Sequence, residues 1–210
     1  DDETRNVALN KCQRALDLAD RIGARCAVNI VGSLGEKWDG PCALDLTDEA
    51  FERIVVTVRE IIDAVKPTRS VYALETMPWM YPDSADSYLK LIKAIDRPKC
   101  LGVHLDPVNI INCPERYFRN ADLLRECFAK LGSMIVSVHA KDILIGKKLT
   151  LHLDEVRPGL GNLDYRVYLQ EMAKLHPDTP MLLEHLPNMD EYHLAAEHIR
   201  GIARAEGISI

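Results

Sequence analysis

Val71-Tyr-Ala-Leu-Glu75 is a short, mostly apolar run that closes on a carboxylate, and Leu101-Gly-Val-His-Leu105 is a second such run that leads straight into Asp106. Between them, residues from about Ser84 to Ile95 carry apolar side chains at helical spacing. Short apolar runs bounded by turn residues read as buried strands. A strand, an amphipathic helix and another strand make one βαβ unit.

The same alternation extends in both directions. Toward the C-terminus come a helix from about Asn120 to Leu131 and a strand Met134-Ile-Val-Ser-Val-His139, then a weaker extended piece, Leu149-Thr-Leu-His-Leu153. A Gly-rich turn, a helix from about Asp164 to Leu175, a strand Met181-Leu-Leu-Glu184 and a helix near Tyr192 to Ala205 follow. Toward the N-terminus, Phe51, Ile54, Val55, Val58, Ile61, Ile62 and Val65 form the apolar stripe of a helix that begins after Thr47 and stops before Pro67. Before it lie a strand, Cys26-Ala-Val-Asn-Ile-Val31, and a first helix whose stripe runs from Val7 to Ile22, with Gly23 at the capping position.

Six strands and six helices in alternation predict an α/β fold of the (β/α)8 TIM barrel type, in which a parallel sheet is covered by helices. A closed barrel needs eight units. The expectation is therefore a single barrel domain over residues 1–210, holding strands 3 to 8, with the first two βα units absent from this chain. An open doubly wound sheet is the alternative, but no G-x-G-x-x-G follows any strand, so its usual nucleotide signature is missing.

Bulk properties exclude several function classes. The 210 residues are 47% hydrophobic and 28% charged, with a formal net charge of -6. Basic residues are scattered and form no run, so no nucleic-acid partner is expected. No stretch approaches the roughly 18 apolar residues of a membrane span, and the first residues lack the apolar core of an export signal. Six cysteines include no C-x-x-C pair, which fits free thiols in a reducing cytoplasm.

Four strands end on a metal-ligating side chain: Glu75, Asp106, His139 and Glu184. The first three are separated by about one βα unit each, roughly thirty residues. The longer interval to Glu184 leaves room for the weaker extended piece. In a barrel, all four would gather at the C-terminal mouth, where the chemistry of that fold is placed. Singly, each has an ordinary alternative: a strand-end carboxylate often caps a helix, and a strand-end histidine often sits satisfied in a core. Together, three carboxylates in a partly dry pocket would raise one another's pKa unless a cation neutralised them. One divalent ion is the economical solution. Three oxygens and one nitrogen suit Mn²⁺, Co²⁺, Mg²⁺ or Zn²⁺ better than a soft-ligand metal and do not decide among them; Mn²⁺ is the expected ion.

The runs Ala73-Leu-Glu75, Leu105-Asp106-Pro-Val-Asn109, Val138-His139-Ala-Lys141-Asp142, Pro158-Gly-Leu-Gly161-Asn-Leu-Asp-Tyr165 and Leu182-Leu-Glu184-His together resemble the xylose isomerase-like barrels. These include sugar phosphate isomerases and epimerases, ketose 3-epimerases and inosose dehydratases. The resemblance implies that Glu75, Asp106, His139 and Glu184 bind the metal. It also implies that Glu75 and Glu184 are catalytic, exchanging a proton on opposite faces of a substrate carbon through a metal-stabilised enediolate. Ketose epimerases commonly carry a substrate-contacting His three residues after the strand-end Asp. Asn109 stands there instead, able to bind a hydroxyl but not to titrate near neutrality. The two-metal pattern of true xylose isomerases and the many-His trinuclear zinc pattern of the related endonucleases are not visible.

Further substrate contacts are expected from Lys141, which should face the pocket mouth, and from His104, one layer deeper than Asp106. Arg157, in the Gly-rich loop that borders substrate in the resembling family, is another, as are Trp79 and Trp38, as apolar walls for a sugar ring. Loop packing is an equal alternative for the two tryptophans, plain core for His104 and a surface role for Arg157; a solvated loop lysine is the alternative for Lys141. Asp142 should turn toward the wall, and His185 toward the core or a helix.

The expected function is thus a metal-dependent isomerase or epimerase of a small carbohydrate. The same enolate chemistry on a keto-inositol or 3-keto-glycoside would make it a lyase or dehydratase. A non-catalytic carbohydrate-binding barrel is the third reading. Exposed loop aromatics are compatible with a homodimer.

Overall fold

The computed structural model describes residues 2–210 and divides into two units, one ending at His104 and one covering Leu105–Ile210. Each is described by itself.

The first unit contains α1 (Asp2–Ile22), β1 (Cys26–Asn29), α2 (Asp48–Val65), β2 (Val71–Glu75), α3 (Ala85–Ile95) and β3 (Leu101–Leu105), whose last residue crosses the boundary. The helix ends follow local chemistry. The Thr47 hydroxyl accepts from Ala50 N, and Asp48 and Glu49 place negative charge at the positive end of the α2 dipole. Lys66 closes α2 in the left-handed region at φ 52°, just before Pro67. Ser84 and Ser87 form a reciprocal cap at the start of α3.

β1, β2 and β3 are parallel, with Asn29 beside Leu74 and Glu75 beside His104. Ile61 and Ile62 of α2, Tyr72, Ala73 and Leu74 of β2, and Tyr88, Leu91 and Ile95 of α3 make the core. The Tyr88 hydroxyl accepts from Leu74 N at 3.1 Å and lies 2.6 Å and 2.9 Å from the carbonyls of Leu74 and Gly102, tying α3 to two strands. Burial holds its phenol well above the usual range.

The second unit contains α4 (Pro107–Ile110), α5 (Pro114–Phe118), α6 (Asn120–Leu131), β4 (Ile135–Ala140), β5 (Asp142–Ile145), β6 (Leu153–Val156), α7 (Tyr165–Met172), β7 (Met181–Leu183) and α8 (Met189–Glu206). β4 and β7 are parallel, with His139 beside Leu182. Leu124, Cys127 and Leu131 of α6, Tyr165, Tyr168 and Leu169 of α7, and Ala195, Ile199 and Ala203 of α8 are buried.

One expected strand is corrected. Leu149-Thr-Leu-His-Leu153 is not a parallel barrel strand: residues 149–152 are irregular, and Leu149 is fully exposed. The chain instead folds back after β5, and β6 pairs antiparallel with it, from Asp142 beside Val156 to Ile145 beside Leu153. The spaced leucines imitate strand alternation in a hairpin connection. Five parallel strands therefore stand among the described residues, three in the first unit and two in the second. No disulfide joins the six cysteines among the described residues, and no described helix is long and apolar enough to cross a membrane.

Candidate metal centre

Within the second unit, three elements deliver polar side chains to one place. Asp106 leaves β3 and caps α4, its Oδ1 accepting from Val108 N at 3.0 Å and Asn109 N at 3.3 Å. Those two bonds fix its carboxylate and leave Oδ2 facing inward. Two buried tyrosines of α7 hold the end of β4: the Tyr168 hydroxyl donates to the His139 carbonyl at 2.8 Å, and the Tyr165 hydroxyl to the Lys141 carbonyl at 2.7 Å. His139 and Lys141, two residues apart, share a side of the chain. Glu184 follows directly on β7, whose pairing with β4 sets its height beside them.

The distances are short. Asp106 Oδ2 lies 3.3 Å from His139 Nδ1 and 3.0 Å from Lys141 Nζ. Glu184 Oε2 lies 3.2 Å from the same His139 nitrogen and 2.7 Å from the same ammonium. Glu155 of β6 adds a carboxylate 3.6 Å from Lys141 Nζ. Asp106 is wholly buried and Lys141 is 3% exposed.

Burial opposes ionisation of Asp106, but the His139 hydrogen bond and the Lys141 charge overcome it and hold the carboxyl below its usual range. Burial likewise opposes charge on Lys141. The Asp106 charge and the hydrogen bonds the ammonium donates to Glu184 and Asp106 outweigh it, so Lys141 keeps its proton more firmly than usual.

Asp106, His139 and Glu184 each offer a ligand atom, and these atoms lie within 4.8 Å of one another. Two carboxylates and an imidazole at that separation match the donors of a hard or borderline divalent ion, and the residues fit one. In the first unit, Glu75 and His104 are register partners on β2 and β3 and carry ligand atoms within the same distance.

Asp142 turns away from this cluster, as its place in the alternation requires, and organises the neighbouring loop. Its Oδ1 accepts from Ile143 N and Leu163 N, both at 2.8 Å. Its Oδ2 accepts from Gly159 N at 2.9 Å and Gly161 N at 3.1 Å. Gly161 packs so closely that a Cβ there would lie 2.3 Å from Asp142 Oδ1, and Gly159 adopts φ 94°.

The other candidate contacts divide. Asn109 is half-buried on α4, its backbone engaged by Asp106. His104 is fully buried. Arg157 is held by Glu191 at 2.7 Å and by the Pro158 carbonyl. In the first unit, Trp79 donates its indole N–H to the Asp39 carbonyl at 3.2 Å, while Trp38 is largely exposed.

His185 departs from expectation. It faces neither core nor helix; it is 59% exposed in its side chain, with Nδ1 at 3.1 Å from Glu155 and Nε2 at 3.6 Å from Glu184. Its φ of 58° ends the strand geometry at Leu183, so the alternation that pointed it inward no longer applies. Glu155, which joins Lys141 to His185, carries no sequence signal beyond its place before the Gly-rich loop.

Solved structures share this fold. A xylose isomerase-like TIM barrel protein from Mycobacterium smegmatis in complex with magnesium superposes with a TM-score of 0.70 at 18% identity, over 98% of this chain and 69% of that one. The probable 3-DHS dehydratase AsbF involved in petrobactin synthesis from Bacillus anthracis gives 0.69 at 20% identity, over 94% and 70%. D-psicose 3-epimerase with D-tagatose from Clostridium cellulolyticum gives 0.67 at 13% identity, over 100% and 73%. Among curated proteins, 118 residues, 56% of the chain, are 29% identical to the structural maintenance of chromosomes protein 6 homolog smc-6 of Caenorhabditis elegans. The match spans only 10% of that protein's length. The xylose isomerase-like TIM barrel family matches residues 1–202, nearly the whole sequence, and the chain belongs to that family.

Proposed function

We propose that this chain is a divalent-metal-dependent isomerase or epimerase that moves a proton next to the carbonyl of a small carbohydrate. The observation that carries this reading is the mutual approach of the Asp106, His139 and Glu184 ligand atoms. Glu75 is proposed as the fourth ligand, because it ends β2 as Glu184 follows β7 and because the family pattern has a glutamate there. A bound ion, Mn²⁺ before Co²⁺, Mg²⁺ or Zn²⁺, supplies a Lewis acid that polarises a substrate oxygen, worth several kcal/mol.

The side chains do the rest. Glu184 takes the proton from carbon, its carboxylate oriented by His139 at 3.2 Å. A positioned base of this kind contributes about 10²–10⁴-fold. Glu75 returns a proton, to the opposite face in an epimerase. Asn109, His104, Lys141 and Arg157 are the proposed contacts to substrate hydroxyls, with Trp79 and Trp38 as apolar walls. The neighbours named as a dehydratase and an epimerase support a reaction of this class.

Asn109 favours a second reading. Without the histidine of the ketose epimerases, the same proton abstraction can lead to loss of a group β to the carbonyl, as in a lyase or dehydratase. Metal-loaded protein in D₂O with ketoses, keto-inositols and 3-keto-glucosides separates the two. Deuterium at carbon in a compound of unchanged composition supports the isomerase, whereas release of water or aglycone supports the lyase. Glu184→Gln should abolish either. A reaction that survives that substitution at the wild-type rate overturns the mechanism.

A further inference from the structure

Lys141 sits inside the second unit's cluster, and contact with a substrate hydroxyl does not by itself account for its place there. Its ammonium bridges the two carboxylates that a metal would use, at 3.0 Å from Asp106 and 2.7 Å from Glu184. A lysine that merely faced substrate would not need both. We propose that Lys141 and Glu155 set the affinity of this cluster for its divalent ion, Lys141 by competing for Asp106 and Glu184, Glu155 by taking up the ammonium when the ion binds. The inference rests on the reading of Asp106, His139 and Glu184 as metal ligands.

Three observations carry it. First, an ammonium in contact with two ligand oxygens repels a doubly charged ion at the same oxygens. In a partly buried site such repulsion is worth about two orders of magnitude in a binding constant unless the ammonium moves. Second, the lysine backbone does not move freely, since its carbonyl is pinned by Tyr165 at 2.7 Å on a buried strand end. Relief must come from rotation of the four-carbon side chain, and lysine's flexible stem permits it.

Third, a receiving carboxylate stands ready. Glu155 is 3.6 Å from Nζ, on a hairpin whose register is fixed by Ile143 beside Glu155. It is itself oriented by His185 Nδ1 at 3.1 Å and 3.2 Å from its two oxygens. Glu155 is more exposed than Asp106, so an ammonium held there alone keeps part of its hydration. The charge on Lys141 would then lie beside the ligands, free to meet an oxygen of the substrate.

A lysine that only cements the fold would behave differently, because its removal would weaken the metal site along with everything else. The test is a calorimetric titration of metal-free protein with Mn²⁺ alone. Lys141→Met should bind Mn²⁺ roughly ten-fold more tightly or better, and Glu155→Gln, which removes the alternative partner, roughly three- to ten-fold more weakly. In the double variant the Glu155→Gln effect should vanish, since Glu155 acts only through Lys141. Unchanged or weaker Mn²⁺ binding by folded Lys141→Met overturns the inference, as does a Glu155→Gln effect that persists without Lys141. Should Lys141→Met fail to fold without metal, Glu155→Gln decides alone, and an unchanged affinity overturns the proposal. Failure of the wild type and both variants to bind Mn²⁺, Co²⁺ or Zn²⁺ removes the metal reading itself and this inference with it.

Discussion

Asp142→Asn is nearly isosteric, yet it should unfasten the loop beside the candidate metal centre. The wild-type carboxylate accepts four backbone N–H bonds, two on each oxygen, from Ile143, Leu163, Gly159 and Gly161. An asparagine keeps one oxygen and can accept only two; its amide nitrogen turns donors toward donors. Two charge-assisted bonds are lost. Each is worth about 1.5–3 kcal/mol when buried. Two features reduce the total: Gly159 is exposed and Gly161 half-buried, so their N–H groups can turn to water. A net loss of about 2–3 kcal/mol is expected, which for a chain of this length lowers Tm by about 4–12 °C. Thermal unfolding by circular dichroism reads the shift, and limited proteolysis reads the opening of residues 157–164. A Tm within about 1 °C of wild type, with the loop still protected, would refute the assignment of Asp142 as the loop's anchor.

Tyr168→Phe removes the donor to the His139 carbonyl. It should cost about 1–2 kcal/mol in denaturant unfolding and weaken Mn²⁺ binding, whereas an unchanged midpoint would show that the strand end is held by its other contacts. Gly161→Ala places a Cβ 2.3 Å from Asp142 Oδ1 and 2.4 Å from the Ile143 carbonyl. It should destabilise by about 1–3 kcal/mol and expose the same loop to protease. Asp20 accepts from the backbone of Arg69, Ser70 and Thr68, and those bonds hold its carboxyl below its usual value. A depressed pKa means that its stabilisation is present above the unfolded value near 4 and is lost as pH falls through the folded one. Asp20→Asn should therefore reduce stability at neutral pH and flatten the acid-side slope, and equal slopes in the two proteins would contradict this.

The parallel framework was legible because its signals were local and agreed with one another. Val71–Glu75 and Leu101–Leu105 are strands over the residues the apolar runs suggested. Thr47, Ser84 and Asp164 cap helices where a polar residue precedes an apolar stripe. The helices α4 and α5 were not legible. Each is a single turn, opened by Pro107 or Pro114, and too short to show a period. Leu149, Leu151 and Leu153 misled for the opposite reason: they show a period of two without a neighbouring parallel strand to bury it, and the antiparallel partner is the chain that immediately precedes them. Alternation identifies extended chain but not the strand it pairs with.

The candidate site was legible as residue types and not as a charge network. Asp106, His139 and Glu184 could be marked because each closes a strand, and strand ends in an α/β fold converge. Asp142 could be turned away from them by counting from His139. The alternation points Lys141 to the pocket mouth, but nothing in sequence order shows that it sits between two carboxylates separated from it by thirty or more positions. Glu155 lies on β6, in a hairpin that the sequence pattern does not show, so its approach to Lys141 and His185 could not be foreseen. His185 shows the limit most plainly. Counting by two from Glu184 points it inward only while the chain remains a strand, and at φ 58° it does not. Histidine is among the residues that take that conformation more readily, and here the imidazole meets the Glu155 carboxylate at 3.1 Å. The same turn that defeats the periodic reading therefore brings His185 to Glu155, the carboxylate on which the competition at Lys141 depends.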